Sequence, residues 1–153
     1  MAFKIDVVSN VPLTPLKNHT EVALTLLRQV GYLSGGSEGP GAARQMRESI
    51  PYRIFIALMR NMERGRTVKQ MALRLKTTKA TVYRHINKLK LLDILEVVDV
   101  QMPEGVRRGY RIRYGNLAKA WNFVEAHVQV AMEHYRETVE HLQSLIEGGS
   151  LDA

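Results

Sequence analysis

The chain has 153 residues, 45% of them hydrophobic and 24% charged, with a formal net charge of +7 and no cysteine. That size supports one compact core plus an appendage, and the lack of cysteine removes disulfides, thiolate zinc sites and cysteine nucleophiles from consideration. No apolar run approaches the roughly 20 residues of a membrane span, and Met1 to Asn10 has neither the basic start nor the apolar centre of a signal peptide, so a cytoplasmic protein without a membrane partner is expected.

Phe3 to Val8 reads as a short extended segment and Val11 to Pro15 as a proline-punctuated stretch. Thr20 is placed to cap a helix with Ala23, Leu26, Leu27 and Val30 on one face and Gly31 near its end. From Ser34 to Gly41, glycine and proline oppose both helix and strand, which predicts a linker. Residues 1–41 are therefore an N-terminal extension with one helix and a glycine-rich linker.

Residues 42–115 read as a separate domain of short helices and a hairpin. Ser49 can cap a helix with Pro51 in its first turn and an apolar stripe of Ile54, Phe55, Leu58 and Met62. Past Gly65, Thr67 caps a second helix, whose Val68, Met71, Ala72 and Leu75 have the i, i+3, i+4, i+7 spacing of one buried face. After a tight turn, Thr77 or Thr78 caps a third helix that turns Val82, Ile86 and Leu89 inward. Branched residues from Ile94 to Val100, a Met102 to Gly105 reversal and strict alternation from Tyr110 to Tyr114 predict a hairpin. Tyr110, Ile112 and Tyr114 share one face of it, with Arg111 and Arg113 on the other.

Asn116 to Ile146 contains neither proline nor glycine and reads as one helix about 45 Å long. Its stripe runs through Leu117, Trp121, Val124, Val128, Ala131 and Tyr135, then after a one-residue slip through Val139, Leu142 and Ile146. A small domain cannot cover so long a stripe, so residues 116–147 are expected to pair with a second copy as a coiled-coil-like dimer helix. The expected dimer contacts are Leu117, Trp121, Val124, Val128, Tyr135, Val139, Leu142 and Ile146, and residues 148–153 read as a flexible tail.

Charge is concentrated in the middle. Between Arg44 and Tyr114 there are 17 basic residues against six acidic ones, the distribution a polyanion partner selects, although a solvated surface is the plainer reading. Two short helices, a tight turn and a hairpin form a winged helix-turn-helix, in which the third helix enters the major groove of duplex DNA. With Val82, Ile86 and Leu89 inward, Thr81, Arg84, Asn87 and Lys88 lie on or beside the outer face. Arg84 suits guanine and Asn87 adenine, whereas Lys88 and Lys79 suit phosphate.

The string Thr78-Lys79-Ala80-Thr81-Val82-Tyr83-Arg84-His85-Ile86-Asn87-Lys88-Leu89 resembles the recognition helix of ArsR-like winged-helix repressors. The resemblance runs from about Ile50 to Tyr135, and MarR-like and other archaeal or bacterial winged-helix regulators are similar over much of it. It implies a recognition helix in the major groove, a wing on the backbone or minor groove and a dimer made by terminal helices. By position it turns Thr81, Tyr83, Arg84 and His85 toward DNA and puts Arg107 and Arg108 at the wing tip. The N-terminal forty residues and the length of the last helix depart from that pattern.

The DNA-contact set is then Thr78, Lys79, Thr81, Tyr83, Arg84, His85, Asn87, Lys88, Arg107 and Arg108. Tyr83 could instead cover the helix surface, His85 could be a packed or capping histidine, and Arg107 and Arg108 could sit in a solvated loop. His127, His134 and His141 recur every seven residues near Glu125, Glu137 and Glu140, in loose resemblance to paired-helix metal sites of ArsR-like sensors. The spacing does not match such a site, and no metal ligand, cofactor or catalytic residue is assigned. No phosphate-cradling loop, carboxylate pair or matched nucleophile and base supports an enzyme. The expected function is a homodimeric transcriptional regulator on a palindromic duplex site, with a winged-helix interaction module or a non-specific architectural DNA binder as the alternative.

Overall fold

The computed structural model describes residues 2–8, 18–33 and 41–149. In chain order it contains α1 (His19–Gln29), α2 (Ala42–Glu48), α3 (Ile50–Arg60), α4 (Val68–Leu75), α5 (Lys79–Leu91), β1 (Leu95–Met102), β2 (Gly105–Ile112) and α6 (Leu117–Glu147). It is mainly α with a small hairpin, as the periodicities predict. The Val11 to Pro15 stretch, residues 34–40 of the linker and residues 150–153 lie outside the described residues.

The helix starts follow from capping chemistry. Thr67 accepts from the Gln70 backbone N–H while the Gln70 side chain accepts from the Thr67 N–H, a reciprocal capping box. Thr78, not Thr77, caps α5 by accepting from Thr81 N at 3.2 Å. Two predicted caps are corrected. α1 is capped by Asn18, whose side-chain oxygen accepts from Thr20 N at 2.8 Å, and Thr20 lies inside the helix. Ser49 precedes α3, but its hydroxyl donates back to Met46 O at 2.6 Å and makes no side-chain cap. That carbonyl belongs to α2, a helix the sequence reading did not anticipate.

β1 and β2 pair antiparallel from Leu95↔Ile112 to Met102↔Gly105, so the loop is Pro103-Glu104. Arg66 adds a one-residue third strand, with reciprocal 2.8 Å backbone bonds between Arg66 and Tyr110. Two glycines permit that approach. A Cβ on Gly109 would lie 2.8 Å from Arg66 O, and one on Gly65, at φ +80°, 2.8 Å from Tyr110 O. β2 stops at Ile112, which corrects the expected face: Tyr114, at φ +59°, sits in a 3₁₀ turn and is exposed rather than aligned with Tyr110 and Ile112.

One apolar core joins every helix to the hairpin. Ile54, Leu58, Met71, Val82, Ile86, Leu89 and Ile112 are fully buried at its centre. Leu27 of α1 and Val124 of α6 belong to the same cluster, so the N-terminal helix packs on its own winged domain. Leu24 joins Leu27 and Val30 in the buried face of α1, while Ala23 and Leu26 are half-buried. Residues 2–8 form no regular strand, yet Lys4 N donates to Leu91 O (2.9 Å) and Asp6 N to Val30 O (3.2 Å).

In the first part of α6 the dimer reading is corrected at one residue. Val124 is fully buried within its own chain, and Leu117, Trp121 and Val128 are half-buried against the same core. Val124 is thus intrachain packing, whereas Leu117, Trp121 and Val128 keep part of their surface open. Farther along, Met132, Tyr135, Val139, Leu142 and Ile146 are all exposed. From Val128 they run in steps of four, three, four, three and four, so Met132 carries the stripe in place of Ala131 and the one-residue slip falls between Val128 and Met132.

Candidate nucleic-acid interface

α4, the turn at Lys76 and α5 form the helix pair. Lys76 adopts the left-handed conformation at φ 54°, and its N–H and that of Thr77 close the end of α4. This places Thr78 at the start of α5 with its hydroxyl committed to the helix: it caps Thr81 N and donates to Thr81 Oγ1 at 3.0 Å. Thr78 and Thr81 therefore shape the amino end of the recognition helix.

Lys79, Tyr83, Arg84, Asn87 and Lys88 are exposed on α5, opposite the buried Val82, Ile86 and Leu89. Tyr83 is 47% exposed, enough of a ring to meet a deoxyribose or a thymine methyl. His85 is different. It is only 7% exposed, and its Nδ1 is buried with no hydrogen-bond partner. Val82, His85, Ile86 and Leu89 occupy i, i+3, i+4 and i+7, the packing register of the helix, which is why His85 faces Tyr32, Met46 and Ser49 instead of solvent. Burial first, then Lys88 and Arg84, lower its pKa below the usual imidazole value and keep the ring neutral. The resemblance-based contact to DNA is thus corrected for this residue.

The wing presents Arg107 and Arg108 outward on β2, while Asp99 lies opposite Arg108 in the register. Arg107 Nη1 donates to Val106 O at 2.9 Å, and the Arg108 guanidinium lies 5.9 Å from the Tyr110 ring. Lys90, at the end of α5, lies 5.6 Å from that ring, so the wing and recognition helix meet around one tyrosine. Lys69 of α4 pairs with Glu104 of the wing loop at 3.7 Å.

Arg111 of the hairpin and Arg113 just beyond it are both engaged by carboxylates. Arg111 pairs with Glu96 at 2.5 Å and donates to Glu63 O at 2.9 Å. Arg113 pairs with the Asp93 carboxylate and donates to Asp93 O at 2.7 Å. Burial alone would raise the pKa of both carboxylates, but hydrogen bonds from Arg113 and His127 to Asp93, and from Arg111 and Tyr114 N–H to Glu96, bring each below its usual range. His127 Nε2 lies 2.8 Å from Asp93 Oδ2, and the ring stacks on Phe3 at 4.5 Å. His134 and His141 are exposed.

A second basic feature escaped the sequence reading. Arg66 has its pKa lowered by burial and then by Arg74 and Arg60, so three guanidinium groups converge where α3 and α4 end beside the wing. Their spacing in sequence is irregular, and Arg66 is held in place by its bridge to Tyr110 and by donating from Nε to Ala57 O at 3.2 Å.

Residues 50–98 match the family described as a helix-turn-helix domain. With the hairpin that follows it, this segment has the architecture of a winged helix-turn-helix. It contains the helix whose residues resemble ArsR-like repressors. A solved structure described as a possible transcriptional regulator from Methanosarcina mazei Go1 is similar at 14% identity and a TM-score of 0.43, over 71% of this chain and 94% of that one. No curated protein matches the sequence.

Proposed function

We propose that this chain is a DNA-binding transcriptional regulator that reads duplex DNA as a homodimer. The observation that carries the reading is the outer face of α5, where Lys79, Tyr83, Arg84, Asn87 and Lys88 project from a helix whose opposite side is fully packed. Arg84 and Asn87 have the donors and acceptors that discriminate guanine and adenine in the major groove, and Lys79 and Lys88 neutralise phosphates beside them. Arg107 and Arg108 extend the contact along the backbone or into the minor groove.

Dimerisation rests on the outer part of α6, where Met132, Tyr135, Val139, Leu142 and Ile146 are exposed at coiled-coil spacing. Two copies so joined present two recognition helices to successive major grooves, about 34 Å apart, which favours a palindromic site. Among the described residues no helix is long and apolar enough to cross a membrane. A cytoplasmic location fits this reading, and catalysis has no part in it.

Selection of bound sequences from a random duplex pool at fixed salt tests the proposal. An enriched inverted repeat is expected, and Arg84→Ala should weaken binding to it by about 10- to 100-fold while relaxing preference at one position of each half-site. Equal affinity for unrelated duplexes would identify a non-specific architectural binder, and indifference to Arg84→Ala a protein-docking module.

A further inference from the structure

A cavity of about 460 Å³ lies between the N-terminal segment, α1 and α6, away from the helix pair and wing. Its size falls within the range of small-molecule sites, on the order of 300 to 1,000 Å³. Val124 and Trp121 of α6 line it together with Ile5, Val7 and Leu26. Among the described residues its charged ones are Asp6 and Glu125, and no lysine, arginine or histidine lines it. In a chain of net charge +7, an apolar cavity whose described charged residues are both carboxylates is set apart from the rest of the surface. Among the described residues, neither Asp6 nor Glu125 is engaged in an ion pair.

We infer that this cavity is a binding site for an apolar organic cation, whose body fills the aliphatic and indole-lined space while its charge meets Asp6 and Glu125. Desolvating a cation requires an opposing charge, and the two carboxylates supply it where anions would be repelled. The site is also joined to the DNA-reading element. Asp6 and Ile5 belong to the segment whose Lys4 N–H bonds Leu91 O at the end of α5, and Phe3 of that segment stacks on His127 of α6. Filling the cavity fixes this segment and thereby biases the position of the recognition helix. That regulatory half rests on the DNA-binding reading, whereas ligand binding itself does not.

Trp121 is the only tryptophan in the chain, so its emission reports the cavity directly. The full-length protein is titrated, without DNA, with tetraphenylphosphonium and separately with tetraphenylborate, its near-isosteric anion. A saturable change with the cation is expected, with the anion at least about tenfold weaker. The double variant Asp6→Asn, Glu125→Gln should largely remove that preference, and Val128→Phe, with native circular dichroism, should remove binding. No response, an equal response to both ions, or binding that survives Val128→Phe overturns the inference. So does Trp121 emission that follows protein concentration alone, which would mean that a second copy covers the cavity. A response gained only when Leu13 and Leu16 are replaced by serine also overturns it, because the chain's own 9–17 segment would then be the occupant.

The coupling is read as a change of threefold or more in affinity for the selected DNA when the cation is saturating. Unchanged DNA affinity with intact cation binding overturns the regulatory half alone. Failure to bind any DNA overturns that half together with the proposed function and leaves the cation titration standing.

Discussion

α5 and α6 are both amphipathic helices docked on one core, yet they leave opposite surfaces uncovered. The apolar stripe of α5 is wholly buried by its own chain, and what remains outside is basic and polar. α6 buries only its first part, and beyond it an apolar stripe from Met132 to Ile146 stays exposed beside the polar residues. An exposed basic face is stable in water and gains when it meets a polyanion; an exposed apolar stripe gains only when another apolar surface covers it. The two helices thus point to two different partners, DNA and a second copy of the chain.

The contrast between the two parts of α6 is the easiest to break. Val124→Asp places an unpaired charge in the shared core and should cost about 4 kcal/mol of monomer stability in denaturant unfolding. A cost below about 1 kcal/mol would mean that Val124 is not sealed within the chain. The pair Val139→Glu, Leu142→Glu should leave the fold intact and weaken self-association by about 3 kcal/mol, roughly 150-fold, measured by sedimentation equilibrium. An unaltered dimer would move the interface elsewhere.

The inward face of α5 carries a pH dependence that its outward face lacks. His85 has a folded pKa below its unfolded value near 6.5, so the folded state binds fewer protons in that window. Its contribution is complete above pH 6.5 and lost as pH falls through the folded pKa. Arg84 and Lys88 on the same helix disfavour the charged ring, and Tyr32, Gln45 and Ser49 on the packed elements offer it no carboxylate. Thermal melts from pH 7 to 5 should therefore fall for the native chain and flatten for His85→Leu. A parallel fall in both would remove His85 as the cause. The smallest effect expected is at the join between the two helices. His127→Ala removes a partly exposed pair with Asp93 and should cost about 0.5 kcal/mol, because Arg113 still holds that carboxylate.

Local chemistry made much of this fold legible. The capping box at Thr67, the stripe of α4 and the β-branched run of β1 each state their own structure within a few residues. α2 was invisible because Met46 is its one buried side chain and a single contact has no period. His85 was legible in spacing but overruled by a family resemblance, since its register with Val82 and Leu89 already placed it inward. Val124 shows a deeper limit. Periodicity records that a stripe will be covered but not whether the cover comes from the same chain or another.

Asp93 joins elements that are distant in sequence. Held at φ +61° after α5, it ties the turn beyond β2 to α6 through Arg113 and His127. In the proposed dimer this carboxylate acts as the pivot of a lever. From His127, where Asp93 holds it, α6 runs on about 30 Å to Glu147, so a tilt of about 10° there would displace its far end by about 5 Å. The separation of two reading heads, and with it the number of base pairs between half-sites, would then be set by a side chain that never touches DNA.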